Sequence, residues 1–167
     1  MHQGRAGRGS ELTARARLAV LLYATAALVY ALDRVTKWLV EAHLAGRPPI
    51  EVISGVFQLR YTTNPGGAFG LFGGQVWLFV TMSAVVLVVV VLASRDLPGR
   101  ASAIGLGLVL AGAVGNLTDR LVRGPGFSGE VVDFLDFHVW PVFNVADAAI
   151  VAGAATLLLL GFRRKEP

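Results

Sequence analysis

From Gln75 to Ala93 the chain runs nineteen residues without a charge. At a helical rise of about 1.5 Å per residue, that stretch reaches across the ~30 Å hydrocarbon core of a bilayer. The β-branched run Val85 to Val91 would suit a buried strand in a soluble protein, but the length of the uncharged segment predicts a helix. Three more segments match it: Leu18 to Leu32, continuing as helix through Asp33-Arg34-Val35-Thr36-Lys37-Trp38 to about Val40; about Ala101 to Leu117; and about Val142 to Phe162. With 54% hydrophobic and 16% charged residues, the chain is too apolar for an ordinary soluble domain. The expected fold is an α-helical integral membrane protein, one membrane-embedded domain over residues 1–167 with four transmembrane helices.

Composition removes several kinds of chemistry. Cysteine is absent, which excludes disulfides, thiolate catalysis, Cys-based zinc sites and lipidation through cysteine. Only His2, His43 and His138 are present and no His-Glu-x-x-His pattern occurs, so a metalloprotease has almost no support. The net charge of +4 does not point to nucleic acid, because the basic residues are split among chain ends and short loops. Arg5, Arg8, Arg15, Arg17, Arg95, Arg100, Arg163, Arg164 and Lys165 fall on one side if four spans alternate, leaving six of the 15 Lys and Arg elsewhere. Both termini, a basic tail over 1–17 and a second over 163–167, are then expected in the cytoplasm. Arginines before an apolar stretch also resemble a signal peptide with Ala24-Thr25-Ala26 as its cleavage site, but this tripeptide lies inside the apolar run, so a retained first span is expected.

The opposite side carries a loop around Asn64 and another from Arg120 to Phe143. Between the first two spans, Pro48 to Ile53 and Val56 to Tyr61 read as short strands separated by Ser54-Gly55 and closed by Asn64-Pro65-Gly66-Gly67. This predicts a small external β-rich cradle over 46–73, whose edge offers strand addition to an extended substrate, although a plain surface loop fits as well. Gly107, Ala111 and Gly115 form a small-residue stripe on the third segment, read as helix packing.

An ionisable side chain at or within a bilayer is costly, and that makes it a candidate functional group. Asp33 and Lys37 are four apart with the acid first, the favourable helical ion pair. Three roles fit them: pairing with each other, anchoring at headgroups, or organising a site. Gly115-Asn116-Leu117-Thr118-Asp119-Arg120 ends the third segment with more polar groups than a stop requires. Arg120 offers a fork of donors suited to a carboxylate or phosphate, and Asp119 reads as its neutralising neighbour. Asp133, Asp136 and His138 cluster in Val131 to His138; one of them is a candidate catalytic group and spacing does not select it. Trp140 and Phe143 suit an interfacial aromatic belt. Asn144 and Asp147 share a helix face at the start of the fourth segment, where Asp147 is also a favourable charge for the helix dipole. Two aspartates forced to share an apolar environment cannot both ionise easily, the arrangement that activates water against a peptide carbonyl.

At Asn64-Pro65-Gly66-Gly67-Ala68-Phe69-Gly70, Gly115 to Leu121, Val131-Val132-Asp133-Phe134 and Phe143-Asn144-Val145-Ala146-Asp147, the chain resembles the lipoprotein signal peptidase (signal peptidase II) family. Asp33-Arg34-Val35-Thr36-Lys37 matches that family's Asp-x-x-x-Lys on the first helix, so the resemblance runs from about Leu18 to Phe162. It implies an aspartyl endopeptidase of the bacterial inner membrane that removes signal peptides from prolipoproteins just before a diacylglyceryl-modified cysteine. It implies Asp133 and Asp147 as the catalytic dyad, Asn64, Asn116, Arg120 and Asn144 as polar residues lining the site, Asp33 and Lys37 as the first-helix pair, and Gly112 as a third-helix glycine. No metal or organic cofactor is implied. The implied partners are diacylated prolipoproteins and membrane lipids, with no nucleic acid and no demand for more than a monomer. One departure is visible: Arg123 to Glu130 is longer than the family's usual link between Asn-x-x-Asp-Arg and Val-Val-Asp-Phe. A transporter or proton pathway, a membrane scaffold, and a presenilin-like protease are the rival readings, the last weakened because neither aspartate sits in Gly-x-Gly-Asp.

Overall fold

A computed structural model describes residues 3–66 and 76–163. The Gly67 to Gly70 part of the Asn64 motif, the rest of the expected cradle to residue 73, and Arg164 and Lys165 lie outside the described residues. Among the described residues there are four α-helices: α1 (Gln3–Leu44), α2 (Val76–Ala93), α3 (Arg100–Val122) and α4 (Val145–Arg163). Three strands accompany them: β1 (Ile50–Ile53), β2 (Phe57–Asn64) and β3 (Val131–Asp136). Glu11–Leu44, Arg100–Val122 and Val145–Phe162 are long and apolar enough to cross a membrane, while the apolar stretch Trp77–Ala93 of α2 is shorter. Val85, Val88 and Leu92 on α2, Leu158 and Phe162 on α4, and Val20 and Leu28 on α1 are exposed. That many bare apolar side chains suit lipid as the surrounding solvent.

The boundaries follow local chemistry. α1 ends where Gly46 takes φ 70°, with Arg47 N–H returning to the Leu44 carbonyl at 3.0 Å and two prolines beyond. At its other end α1 is helical from Gln3, so the segment read as a basic tail is helix from there and continuous with the apolar part of α1. α3 does not stop near Leu117 as the sequence suggested but carries its polar residues on to Val122, because α1 satisfies them from the side. α4 starts at Val145 instead of Val142, since Phe143 pairs with Leu135 and Asn144 serves as the cap.

α3 is the central helix and packs against both α1 and α4. Small residues make this possible. A Cβ on Gly107 would lie 2.6 Å from the Leu22 carbonyl oxygen of α1, and one on Gly115 would meet Asp33 Oδ2 at 2.7 Å. Gly112, off that stripe, presses against the Ala146 carbonyl of α4, with Ile150 at 2.6 Å. The stripe read as packing is therefore the α1 seam, and Gly112 serves the α4 seam.

The strands form one antiparallel sheet in the order β1-β2-β3. The hairpin predicted around Ser54-Gly55 is β1 and β2, with Gly55 at φ 68°. β3 was expected as part of a long loop; it is instead a strand paired with β2, with Thr62 opposite Asp133 and Asn64 opposite Val131. Phe134 packs with Val40 and Leu44 and seats the sheet on the end of α1. The long link before β3 contains a 3-10 turn at Pro125–Phe127, which brings Phe127 to 5.9 Å from Trp77 at the start of α2.

Gly112→Val should therefore force α3 and α4 apart and lower the melting midpoint in detergent, at a cost of about 1–3 kcal/mol. Gly161→Ala, where an added Cβ meets nothing within 4 Å, should not. Equal midpoints for the two variants would contradict the close α3–α4 contact.

Candidate active site

β3 lies between β2 and the returning Phe143 segment, so its residues are buried on both faces. That location brings Asp133, 2% exposed, against the N-terminal end of α4, where Asp147 stands in the first turn. Both carboxylates line one cavity of about 410 Å³, with Asn64, Asn116 and Arg120 in its wall. Each is held by amides. Asn64 Nδ2 donates to Asp133 Oδ2 at 3.1 Å and Asn144 Nδ2 to Asp133 Oδ1 at 2.6 Å. Asn116 Nδ2 donates to Asp147 Oδ1 at 2.7 Å. Asn144 and Asp147 also cap α4 reciprocally: the Asp147 N–H donates to Asn144 Oδ1 at 2.9 Å and the Asn144 N–H to Asp147 Oδ2 at 3.3 Å. Asp147 is thus both the helix cap anticipated from the dipole argument and a wall of the cavity.

Burial pushes the Asp133 carboxyl up to about 7, and the neighbouring Asp147 charge adds to the rise. The Asn64 and Asn144 amides oppose it by donating to the charged form. A carboxyl poised there exchanges protons at neutral pH, as acid–base catalysis requires.

Behind the cavity, Lys37 is fully buried among three acceptors: Asp119 Oδ2 at 2.8 Å, Asn116 Oδ1 at 3.0 Å and Asp33 Oδ2 at 3.1 Å, the last out of line for a hydrogen bond. An ammonium only donates, so Asn116 must turn its oxygen to Lys37 and its NH2 to Asp147. Asp33 Oδ1 accepts the Ala146 N–H at 3.1 Å, tying α1 to the first turn of α4. Of the three roles open to the Asp33–Lys37 pair, the geometry combines mutual pairing with organisation of the site.

Asp119 is fully buried and, contrary to the sequence reading, does not neutralise Arg120. Its partners are Lys37, Arg34 at 2.7 Å and Arg123 at 3.0 Å, because it faces α1. Arg123 in turn grips Glu41 with two bonds of 2.7 and 2.9 Å. Arg120 turns into the cavity instead, 6% exposed, with its guanidinium 5.1 Å from the Phe79 ring, a bond to the Asn116 carbonyl at 3.3 Å, and Nε without a partner among the described residues. Asp136 is directed elsewhere: it accepts from Gln58 at 2.7 Å, pairs with Arg60 at 3.0 Å and accepts the His138 N–H at 2.9 Å. Burial alone would raise its carboxyl, but the Gln58, His138 and Arg60 contacts outweigh it and hold it below the usual range. Asp136 and His138 are absent from the cavity wall, while Trp140 and Phe143 belong to it.

The fold brings together Asp133, Asp147, Asn64, Asn116, Arg120 and Asn144, all named from the sequence, and sets Asp33, Lys37 and Gly112 behind them. Sequence reasoning did not name every neighbour. It missed Arg34, Glu41 and Arg123 as partners of the buried charges, although Lys37–Glu41 and Asp119–Arg123 are both spaced four apart. It also missed Phe79, Met82 and Val86 of α2 as cavity wall. An all-apolar helix carries no periodicity to mark the inward face.

The chain is similar to known proteins. The family model described as signal peptidase (SPase) II matches residues 25–163. A lipoprotein signal peptidase of Rhodococcus jostii is 44% identical over 149 residues, covering 89% of this chain and 75% of that protein. One from Streptomyces griseus is 42% identical over 163 residues, covering 97% and 80%. A solved bacterial membrane enzyme, determined in meso at 2.3 Å, is similar with a TM-score of 0.74 and 26% identity over 89% of this chain and 91% of that one.

Lys37→Met should destabilise the protein strongly, by about 3–5 kcal/mol, because it leaves buried carboxylates short of a cation. Arg60→Gln, at a half-exposed arginine, should stay within about 0.5 kcal/mol of the parent. Thermal or denaturant unfolding in detergent would show the contrast, and a parent-like Lys37→Met would deny Lys37 its central place.

Proposed function

The chain belongs to the signal peptidase II family, a membrane protease of lipoprotein processing, and from that premise we propose an aspartic endopeptidase of the bacterial inner membrane that cuts prolipoproteins just before a diacylglyceryl-modified cysteine. The observation that carries the reading is the pair Asp133 and Asp147 in one cavity, every carboxylate oxygen engaged by an N–H donor. In the reaction one aspartate, ionised, takes a proton from water as the oxygen attacks the scissile carbonyl carbon. The other, protonated, gives its proton to the carbonyl oxygen. The tetrahedral diol then collapses: a proton passes to the amine nitrogen, the C–N bond breaks, and the signal peptide leaves with a new carboxyl group while the cysteine keeps its free amine. The shared proton belongs to the pair, not to one member. Burial and the neighbouring charge push a carboxyl of the pair up to about 7, so that proton is lost as the pH rises through neutrality.

The surroundings support a lipidated substrate. Met82 and Val86 of α2 and Ile150 of α4 line the cavity, yet α2 and α4 make no helix–helix packing among the described residues. The gap between them is where acyl chains would leave the site for the bilayer, so that lateral diffusion delivers the substrate. Asn64, Asn116 and Asn144 serve as orienting donors, Arg120 as the cation at the cavity wall, and Asp33, Lys37 and Gly112 as support.

Asp133→Asn and Asp147→Asn should each fold, yet each should lose cleavage of a diacylated prolipoprotein by about 10⁴-fold or more, with the double variant little worse than either. Asp136→Asn should keep most activity. A non-lipidated control substrate should resist the parent enzyme. Near-normal turnover by either dyad variant would remove the assignment.

The distribution of basic residues puts both termini in the cytoplasm and the dyad at the outer face. Because the chain lacks cysteine, single cysteines report without background. Gly126→Cys should react with a membrane-impermeant thiol reagent in intact cells, and Arg95→Cys should not. The reverse pattern would put the dyad out of reach of an exported precursor.

A further inference from the structure

A second cavity, of about 340 Å³, lies at the end of the bundle away from the aspartates. Its walls are apolar and come from three helices: Leu92 ends α2, Leu106 belongs to α3, and Leu157 and Leu160 belong to α4. The mouth is polar. Ser102 lines it at 9% exposure and has no hydrogen-bond partner in the described protein. A helical serine usually turns its hydroxyl back to the preceding carbonyl, as Thr118 and Thr156 do here at 2.7 and 2.8 Å, so an idle Ser102 hydroxyl is available to a ligand.

The same point is the N-terminus of α3. Its cap residue is Gly99, and no side chain satisfies the first-turn amides. Open amides and the positive end of the helix dipole favour an anion. Arg95 and Arg100 do not line the cavity but are exposed within two residues of its rim residues in sequence, and Arg100 adds positive charge at the start of the helix. The one carboxylate on the rim, Asp96, is faced by Arg15 at 3.7 Å.

An apolar chamber between three apolar helices, with an anion-seeking mouth, matches a molecule carrying a chain at one end and a phosphate at the other. We propose that this cavity binds one anionic glycerophospholipid, its acyl chain among Leu92, Leu106, Leu157 and Leu160 and its phosphate against the Ser102 hydroxyl and the uncapped start of α3. The lipid wedges α2 against α3 and α4 at the end of α2 opposite the Phe127 contact. The proposal uses the membrane-spanning character of the helices and is independent of the peptidase chemistry.

The test uses delipidated full-length protein in detergent with three probes: dioleoyl phosphatidylglycerol, dioleoylglycerol and inorganic phosphate. Native mass spectrometry counts adducts, and the melting midpoint reports their effect. Phosphatidylglycerol should give a one-to-one adduct and a higher midpoint, with dioleoylglycerol and phosphate at least about tenfold weaker. Ser102→Leu, which fills the mouth, and Arg100→Gln should each weaken the adduct about tenfold while leaving peptidase activity in detergent unchanged. Arg17→Gln, a basic residue away from the mouth, should not weaken it. If Ser102→Leu does not fold, Arg100→Gln carries the test. Equal binding of dioleoylglycerol, an equal shift by phosphate alone, parent-like adducts in the folded variants, or an equal loss with Arg17→Gln would each overturn the site.

Discussion

The structure depends on one buried ammonium. Lys37 is held between Asp33 of its own helix and Asp119 of α3, with Arg34, Arg123 and Glu41 completing a network of three cations and three carboxylates. In an apolar bundle an isolated charge would cost several kcal/mol, so the members are mutually obligatory. The network fixes how α1 meets α3, and Asp33 extends it to the first turn of α4. Because a lysine cannot accept a hydrogen bond, its position also decides the polarity of Asn116 and therefore what Asp147 receives. Fold and site share a single electrostatic origin.

Economy of the same kind appears at the start of α4. Asn144 caps the helix with its oxygen and donates from its amide nitrogen to Asp133, to Asn116 and to the Val132 carbonyl. Asp147 returns the cap and faces the cavity. One capping box thereby joins α3, β3 and α4, so the two carboxylates are positioned by a strand and a helix start and not by loops. The two aspartates are placed by the same contacts that start the helix.

What could be read from sequence follows from which forces are local. Lipid demands long uncharged helices, so the spans were legible, and the β1–β2 hairpin announced itself through Ser54-Gly55. Val131 to Asp136 was not read as a strand because both its faces are buried, which removes the alternation that marks a strand with one wet face. α3 was expected to end at its polar residues, since nothing local says that another helix will satisfy them. Asp119 was matched to its sequence neighbour Arg120, yet helix neighbours one apart do not face each other. Asp133 and Asp147 stood out as carboxylates at a membrane border, but spacing could not prefer Asp133 over Asp136. The strand separates them, directing Asp136 to Gln58 and Arg60 and leaving Asp133 in the cavity wall. The asparagine roles came through the family resemblance, because an amide becomes a donor or an acceptor only through its partners.

Arg120 carries a last consequence, visible by counting charge. The lysine network sums to zero, and among the described residues of the cavity wall the guanidinium is the one cation and the two aspartates are the only opposite charges. With both aspartates ionised the cavity holds a net negative charge; with both protonated it holds a net positive one. Only with a single proton on the pair is the cavity neutral, and a low-dielectric surrounding favours neutrality. The aspartic mechanism proposed above needs that same proton count, one acid and one base. On that proposal Arg120, which touches neither aspartate, is the counterion that favours it.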